Sequence, residues 1–322
     1  MLLSLLDRSR TRRDRPEPEA LTGTIERAVH AEVLGYDRFW VAEHHAVPGI
    51  ASGSPAVLLA AVGAHTSSIR IGSAGVMLPH HQPLVVAEQF RMLDALHPGR
   101  VDLGLGRSLG FTTPVRRALR QETAAPEAFE PDLVELRRYL EGTAQVTVRP
   151  DTGRTVPMFV LATGQGLKVA ARLGLPVVLG GPLLQSADLA DTLQGYRDEF
   201  RPHRGSSPWV TLSLDVTVAD DDLTARELAL PEAYAMARAR QTGEFPALEP
   251  VAEIRAAAWT DQLRGRVERS LDRAVAGSPE TVRRALDRLV EHTAPDELMA
   301  STSTYDRDAL FASDAALRDL VG

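Results

Sequence analysis

Apolar residues along the chain fall into short runs that alternate with stretches of helical spacing, a rhythm that predicts repeated strand–helix units. Residues 2–6 read as a first strand. After a polar, Arg- and Pro-rich loop, Ile25, Ala28, Val29 and Val33 recur on one helical face that Gly35 ends. A second strand at 38–42, a helix at 56–65, and a third strand at 69–77 follow. Pro83 suits the first position of the next helix, whose face is Val86, Phe90, Leu93 and Leu96, and Pro98-Gly99 stops it before a fourth strand at 101–106. The second half is looser. It predicts a helix at 131–140, a turn-rich link at 143–155, a fifth strand at 156–162, a helix at 167–173, a sixth strand at 176–179 and a seventh at 209–218. Residues 220–276 carry no strand pattern and read as a helical excursion; Ser278-Pro279 then caps a helix, and 297–301 reads as the eighth strand.

Eight strands separated by helices predict an α/β fold, a (β/α)8 barrel occupying residues 1–322 as one domain, with the excursion inserted after strand seven. Six strands with a reversal would instead give a doubly wound sheet, and strands six and eight carry the weakest pattern.

Composition narrows the function classes. Apolar residues are 44% and charged residues 25%, ordinary for a globular chain. The net charge of −7 disfavours nucleic acid or an anionic membrane as partner. Without cysteine there is no disulfide, thiolate metal site or Cys nucleophile. The longest apolar run, near 56–64, is far below the roughly 20 residues that span a bilayer. With no convincing signal peptide at the first residues, the expectation is a cytoplasmic protein.

In a (β/α)8 barrel, chemistry gathers where strands end. Strand two ends in Glu43-His44-His45, strand three in Ser73-Ala74-Gly75 ahead of His80-His81, and strand four in Gly104-Leu105-Gly106-Arg107. A metal is the first reading to test. Neighbouring strand residues face opposite ways, so His-His is a poor chelate, and although Glu43 and His45 can share a side, no later carboxylate cluster completes a site. The second reading is a flat anionic ligand: Gly104 and Gly106 clear a strand end for a planar ring, and Arg107 offers a guanidinium to a phosphate. Each signal alone is equally compatible with a tight strand end, a surface Arg and a structural His.

Taken together, the runs Gly35-Tyr36-Asp37-Arg38-Phe39-Trp40-Val41-Ala42-Glu43-His44-His45, Gly72-Ser73-Ala74-Gly75-Val76-Met77-Leu78-Pro79, Pro83-Leu84-Val85-Val86-Ala87-Glu88-Gln89-Phe90 and Leu96-His97-Pro98-Gly99-Arg100-Val101-Asp102-Leu103-Gly104-Leu105-Gly106-Arg107 resemble the luciferase-like flavin monooxygenases, in particular their antibiotic-pathway branch. The resemblance implies reduced FMN at the C-terminal mouth of the barrel, supplied by a separate flavin reductase. It also implies a non-prolyl cis peptide at Ala74–Gly75 under the ring, His44 beside the reactive side of the flavin in proton management with Glu43 as its catalytic neighbour, and Arg107 on the phosphate. Dioxygen would form a 4a-peroxyflavin, one oxygen atom of which enters a small organic, natural-product-like substrate. A homodimer through the helices around strands two and three is implied as well. Where relatives carry hydroxyl-rich residues after strand five, this chain has Ala162-Thr163-Gly164-Gln165-Gly166; Thr163 keeps a hydroxyl, and Gln165 and the N–H groups of Gly164 and Gly166 remain as donors. Strand six likewise leads into Gly180-Gly181-Pro182 where relatives carry bulkier, more polar residues. These departures leave two alternatives: a deazaflavin-dependent hydride-transfer oxidoreductase, and a non-catalytic descendant acting as a partner subunit. A substrate pocket is expected from the loops after strands one, four and six and from the excursion, with Phe111, Pro182, Leu183 and Leu184 as apolar lining.

Overall fold

A computed structural model describes residues 1–110, 112–121, 126–162 and 164–322. In chain order the first half comprises β1 (Leu2–Asp7), α1 (Pro18–Leu34), β2 (Arg38–Val41), α2 (Pro55–His65), β3 (Arg70–Ser73), β4 (Val76–Met77), α3 (Pro83–Leu96), β5 (Val101–Gly106) and α4 (Thr113–Ala118). The second half comprises α5 (Phe129–Leu140), β6 (Met158–Leu161), α6 (Gln165–Leu173), β7 (Val177–Gly180), α7 (Leu189–Asp198), β8 (Val210–Leu214), β9 (Val216–Val218), α8 (Asp222–Thr242), α9 (Val251–Ala256), α10 (Asp261–Leu271), β10 (Val275–Gly277), α11 (Pro279–Thr293), β11 (Glu297–Ala300) and α12 (Arg307–Val321).

Every strand pairing is parallel, in the order β3-β2-β1-β11-β8-β7-β6-β5-β4, and β5 also pairs with β3, which closes the sheet. β3 and β4 are two halves of one barrel strand parted by the cis peptide Ala74–Gly75. The result is an eight-stranded (β/α)8 barrel, and the strands weakest in the sequence, β7 and β11, are both full members of it. The expected seventh strand is in fact two: β8 stays in the barrel, whereas β9 leaves it and pairs with β10. That pairing corrects the expectation that 220–276 holds no strand. Val275-Ala276-Gly277 is too short to show an alternating pattern, and its identity as a strand comes from the partner. The rest of the excursion is helical, as expected. No described helix is long and apolar enough to cross a membrane.

Local rules explain the helix ends. Gly35 takes the left-handed conformation that stops α1, with φ 79°. Ser278 accepts the N–H of Thr281 and caps α11, which begins at Pro279.

Two apolar layers follow from alternation along each strand. Leu3, Leu5, Phe39, Val41, Leu103 and Leu105 point outward and pack under the helices. Leu6, Trp40, Phe159, Val178 and Met299 point inward and fill the bore. Trp40 is fully buried and meets Phe159 edge-on at 5.0 Å. Below this plug the bore is polar: Arg38 lies 2.6 Å from Asp102 and 3.3 Å from Glu297, which also accepts from Ser4 and Thr211.

Room for the indole comes from glycine. A Cβ on Gly72 would sit 2.5 Å from Trp40 Nε1, and one on Gly104 would sit 2.0 Å from the Ser73 carbonyl oxygen. The second clash is with backbone, which side-chain movement cannot relieve. Gly104→Ala is therefore expected to cost about 1–3 kcal/mol or more, in the range of overpacked cores. Urea unfolding checks it, and an alanine variant as stable as the parent would contradict the packing described.

Candidate active site at the mouth of the barrel

The C-terminal ends of the strands define a mouth with two halves. The halves are built by β2, β3–β4, β5 and β6 on one side and by β7, β8, β11 and β1 on the other.

Glu43 follows β2 and is buried, its carboxylate wholly engaged. Oε1 accepts from Nε2 of both His45 and His81 at 2.7 Å, and Oε2 accepts the Met77 N–H at 3.1 Å. Burial lifts this carboxyl, but the hydrogen bonds from His45 and His81, the charge of His81 and the Met77 N–H outweigh it and hold the pKa at about 2. An ionised carboxylate only accepts, so each ring presents Nε2–H. Met77 lies just beyond the cis peptide, so Glu43 acts as a clamp from the end of β2 to β4. The nearest ligand atoms of Glu43, His45 and His81 lie within 4.8 Å of one another, the one set of metal-ligand type among the described residues. As found, it is complete as a hydrogen-bonded group.

His44 has a different environment. Its ring meets Phe245 edge-on at 5.6 Å, and its backbone N–H donates to Ser52 O at 2.9 Å. Burial, then the charges of Arg8 and Arg10, lower its pKa to about 4 against the opposing pull of Glu43, so the ring is neutral at pH 7. Both arginines follow β1 and are fixed by the excursion. Arg10 donates to Glu232 on α8 at 2.8 Å and to Gly49 O at 2.8 Å, and its guanidinium lies 5.8 Å from the Phe245 ring. Arg8 donates to Ser301 O at 2.9 Å and lies 3.4 Å from Asp215 and 3.7 Å from Glu232. The backbone interlocks the same segments: Thr11 N–H donates to Gly49 O, Gly49 N–H to Phe245 O, and Leu248 N–H to Thr11 O. A Cβ on Gly49 would lie 2.1 Å from Pro246 O, so this approach depends on glycine.

On the other side of β2, the glycines divide into two kinds. Gly75 and Gly104 are packed from behind: a Cβ on Gly75 would meet Leu161 Cδ1 at 2.8 Å and Gly104 O at 2.9 Å. For Gly104 the sequence suggested a strand end cleared for a ring, but the structure gives a different reason, the close approach of Ser73. Gly106 and Gly164 face open space; a Cβ on Gly106 would meet only Val76 O, at 3.9 Å, and one on Gly164 would meet nothing within 4 Å. Arg107 is exposed, and no described residue pairs with it. The β5–β6 register, Leu105 opposite Val160, carried two residues on, sets Arg107 level with Ala162. There Gly164, with φ 51°, starts α6, leaving the N–H groups of Gln165 and Gly166 at the helix N-terminus. Thr163 lies outside the described residues.

In the second half of the mouth is a cavity of about 260 Å³. Arg8, Gly180, Pro182, Leu184, Ser213, Asp215 and Ser301 line it from the strand ends, and Glu232, Met236, Arg240, Ser270 and Arg273 from the excursion. The loops after strands one and six and the excursion line it, whereas no described residue of the loop after strand four does; Leu183 packs on the main core instead, and Phe111 lies outside the described residues. Sequence reasoning missed Arg8, Arg10, Asp215, Glu232, Phe245 and Ser301. The arginines had a usable signal, standing immediately after a barrel strand. Glu232 and Phe245 had none.

The Glu43 clamp has a pH signature. A carboxyl at about 2 in the folded chain, against about 4.3 in a free one, adds roughly 3 kcal/mol to stability. Because the folded pKa is depressed, this contribution is complete above about pH 4.5 and is lost as pH falls toward 2. Glu43→Gln is expected to destabilise the protein at pH 7, with the gap to the parent closing across that window in denaturant unfolding. A gap independent of pH would refute the clamp.

Residues 1–296 match the family model for luciferase-like monooxygenases. A luciferase-like monooxygenase of Escherichia coli (strain K12) is 32% identical over 314 residues, 95% of this chain and 92% of that protein. The crystal structure of apo-MsnO8 is similar with a TM-score of 0.89 and 31% identity, covering 99% of this chain and 98% of that one. The oxygenating constituent of 3,6-diketocamphane monooxygenase from Pseudomonas putida, solved in complex with FMN, has a TM-score of 0.76 at 19% identity, covering 99% and 96%, a likeness of fold alone. Matched along nearly its whole length in sequence and in shape, the chain belongs to the luciferase-like monooxygenase family.

Proposed function

We propose that the protein is a reduced-FMN-dependent monooxygenase that places one oxygen atom of dioxygen into a small organic molecule and releases the other as water. The observation that carries this reading is the first half of the mouth: open space over Gly106 and Gly164, a backbone floor at Ala74–Gly75, and an exposed Arg107, paired with no described residue, level with the N-terminus of α6. A planar ring with a phosphate tail fits that set of groups, and the FMN complex of the diketocamphane enzyme supports it.

When bound, reduced FMN supplies the two electrons that activate dioxygen. The chain's own groups do the rest. Arg107 and the N–H groups of Gln165 and Gly166 hold the phosphate, the N–H groups assisted by the helix dipole. Glu43 keeps β4, and with it the floor at Ala74–Gly75, in register with β2. His44 is neutral at working pH, so a ring nitrogen can accept a proton and return it. The excursion, through Phe245 and Glu232, covers the His44 side of the mouth and limits water there. The substrate occupies the cavity in the second half.

Anaerobic titration with reduced FMN, oxidised FMN and reduced deazaflavin separates the readings. Reduced FMN is expected to bind most tightly, and Arg107→Ala to weaken it about tenfold or more, the loss of a charge-assisted hydrogen bond. His44→Ala is expected to leave that affinity intact and to slow product formation on the order of a hundredfold. Preference for the deazaflavin would replace monooxygenation by hydride transfer, and binding of none would leave a non-catalytic barrel.

A homodimer also belongs to this reading. Val33 on α1, Val57 on α2 and Met92 and Leu96 on α3 are exposed apolar side chains on adjacent helices. Val57→Glu with Leu96→Glu is expected to yield a folded monomer by light scattering; a parent already monomeric at working concentration would rule the dimer out.

A further inference from the structure

The cavity in the second half of the mouth has an uneven charge. Arg8 is occupied by Asp215 and Glu232, and Glu232 by Arg10 as well, so this group is balanced. Arg240 and Arg273 line the same cavity, and no described carboxylate lies within ion-pair reach of either. Elsewhere on the excursion Arg226 pairs with Glu268 and Asp272 and Arg255 with Glu227, while Arg238 and Arg264 lie over the rings of Tyr234 and Trp259; what sets Arg240 and Arg273 apart is that both line one cavity. In a chain with a net charge of −7, two unpaired guanidinium groups on one cavity wall are a local surplus of positive charge. The helix dipole rewards a cation in the last turn of α8, which accounts for Arg240 at that position but not for its sharing a cavity with Arg273.

α8 orders the wall. Glu232, Met236 and Arg240 stand one turn apart and all line the cavity. Along α8 the wall thus runs from the buried, paired Glu232 through the apolar Met236 to the exposed cation Arg240, with Pro182, Leu184 and Arg273 also on the cavity. Facing the wall from the barrel are Ser213, Leu214, Asp215 and Ser301, and Asp215 is taken by Arg8 and Ser301.

We propose that the substrate is a small molecule with a carboxylate at one end, received by Arg240 and Arg273, and an oxidisable apolar portion that lies along Met236 toward the first half of the mouth. This deepens the monooxygenase reading and rests on it for what happens to the oxidisable end. A planar carboxylate matches the guanidinium fork. The cavity of about 260 Å³ lies just below the roughly 300–1,000 Å³ usual for ligand sites, which favours a short molecule.

The test uses 4-(methylsulfanyl)butanoate, which has a thioether at one end and a carboxylate at the other, and its primary amide, which is nearly the same size but neutral. Both are titrated calorimetrically into the full chain without flavin. The acid is expected to bind about tenfold or more tightly than the amide, the scale of a charge-assisted hydrogen bond. Arg240→Gln with Arg273→Gln should abolish that preference while leaving the amide's affinity unchanged, and the corresponding double Lys variant should recover part of it. Both side chains are exposed, so the variants are expected to fold, and thermal unfolding checks this. Equal binding of acid and amide, no binding of the acid, or a preference that survives in the double Gln variant would each overturn the proposal. No flavin enters the titration, so its failure leaves the monooxygenase reading intact, and failure of reduced FMN to bind leaves this one to stand or fall by calorimetry.

Discussion

Trp40 occupies the bore of the barrel, and the position of everything above it follows. The indole fits because Gly72 and Gly104, on strands to either side of the β3–β5 seam, have no side chains to meet it. With those side chains absent, Ser73 approaches the backbone of Gly104 closely enough to exchange two hydrogen bonds, its Oγ donating to Gly104 O at 2.8 Å and accepting the Gly104 N–H at 3.0 Å. Ser73 precedes the cis peptide. The plug and the floor of the mouth are therefore one packing unit: the residue that fills the barrel also sets the height at which its open end begins.

Above that floor, electrostatics separates two neighbouring residues that the sequence presents as one motif. Glu43 is ionised and fully bonded, and its partners His45 and His81 turn with it toward β4. His44 faces two arginines and an aromatic edge, and loses its proton readily. A carboxylate that is already saturated with donors is a holding group. A neutral imidazole under positive potential is a proton acceptor of low basicity that gives its proton back easily. The arginines that tune it cost desolvation, and Glu232, reaching in from α8, offsets that cost. The excursion is thus part of the His44 environment, not an appendage to the barrel.

The legibility of this arrangement in the sequence follows the range of the interactions. The first four strands and the ends of α1 and α3 were readable because each is set within one strand–helix unit, and with the strands came the placing of Glu43, His44, Ala74, Gly75 and Arg107 at strand ends; the parts given to them came from the family resemblance and belong to the proposal. β7 and β11 were weak because short strands buried between helices show no alternation. β9 and β10 were unreadable as a pair because each is defined by the other across some sixty residues. Gly104 was legible as important but not for the right reason: nothing local says that Ser73 and Trp40 press against it. The roles of Phe245 and Glu232 depend on how a long insertion folds back over the mouth, and no local pattern encodes that.

The same contrast bears on how specificity is built. The half of the mouth assigned to the cofactor comes largely from consecutive short units, 41–45, 73–81 and 104–107, that pack directly on the bore. The half containing the cavity takes one wall from α8 and α10, which rest on each other through an apolar cluster of their own. Substitutions at Met236, Arg240 or Arg273 alter that wall without touching Trp40, Ser73 or the Glu43 clamp. On the proposed reading the barrel keeps a fixed oxidising end while the excursion resets what is presented to it, and among the described residues the two are coupled from Glu232 to Arg8 and Arg10 and from them to His44.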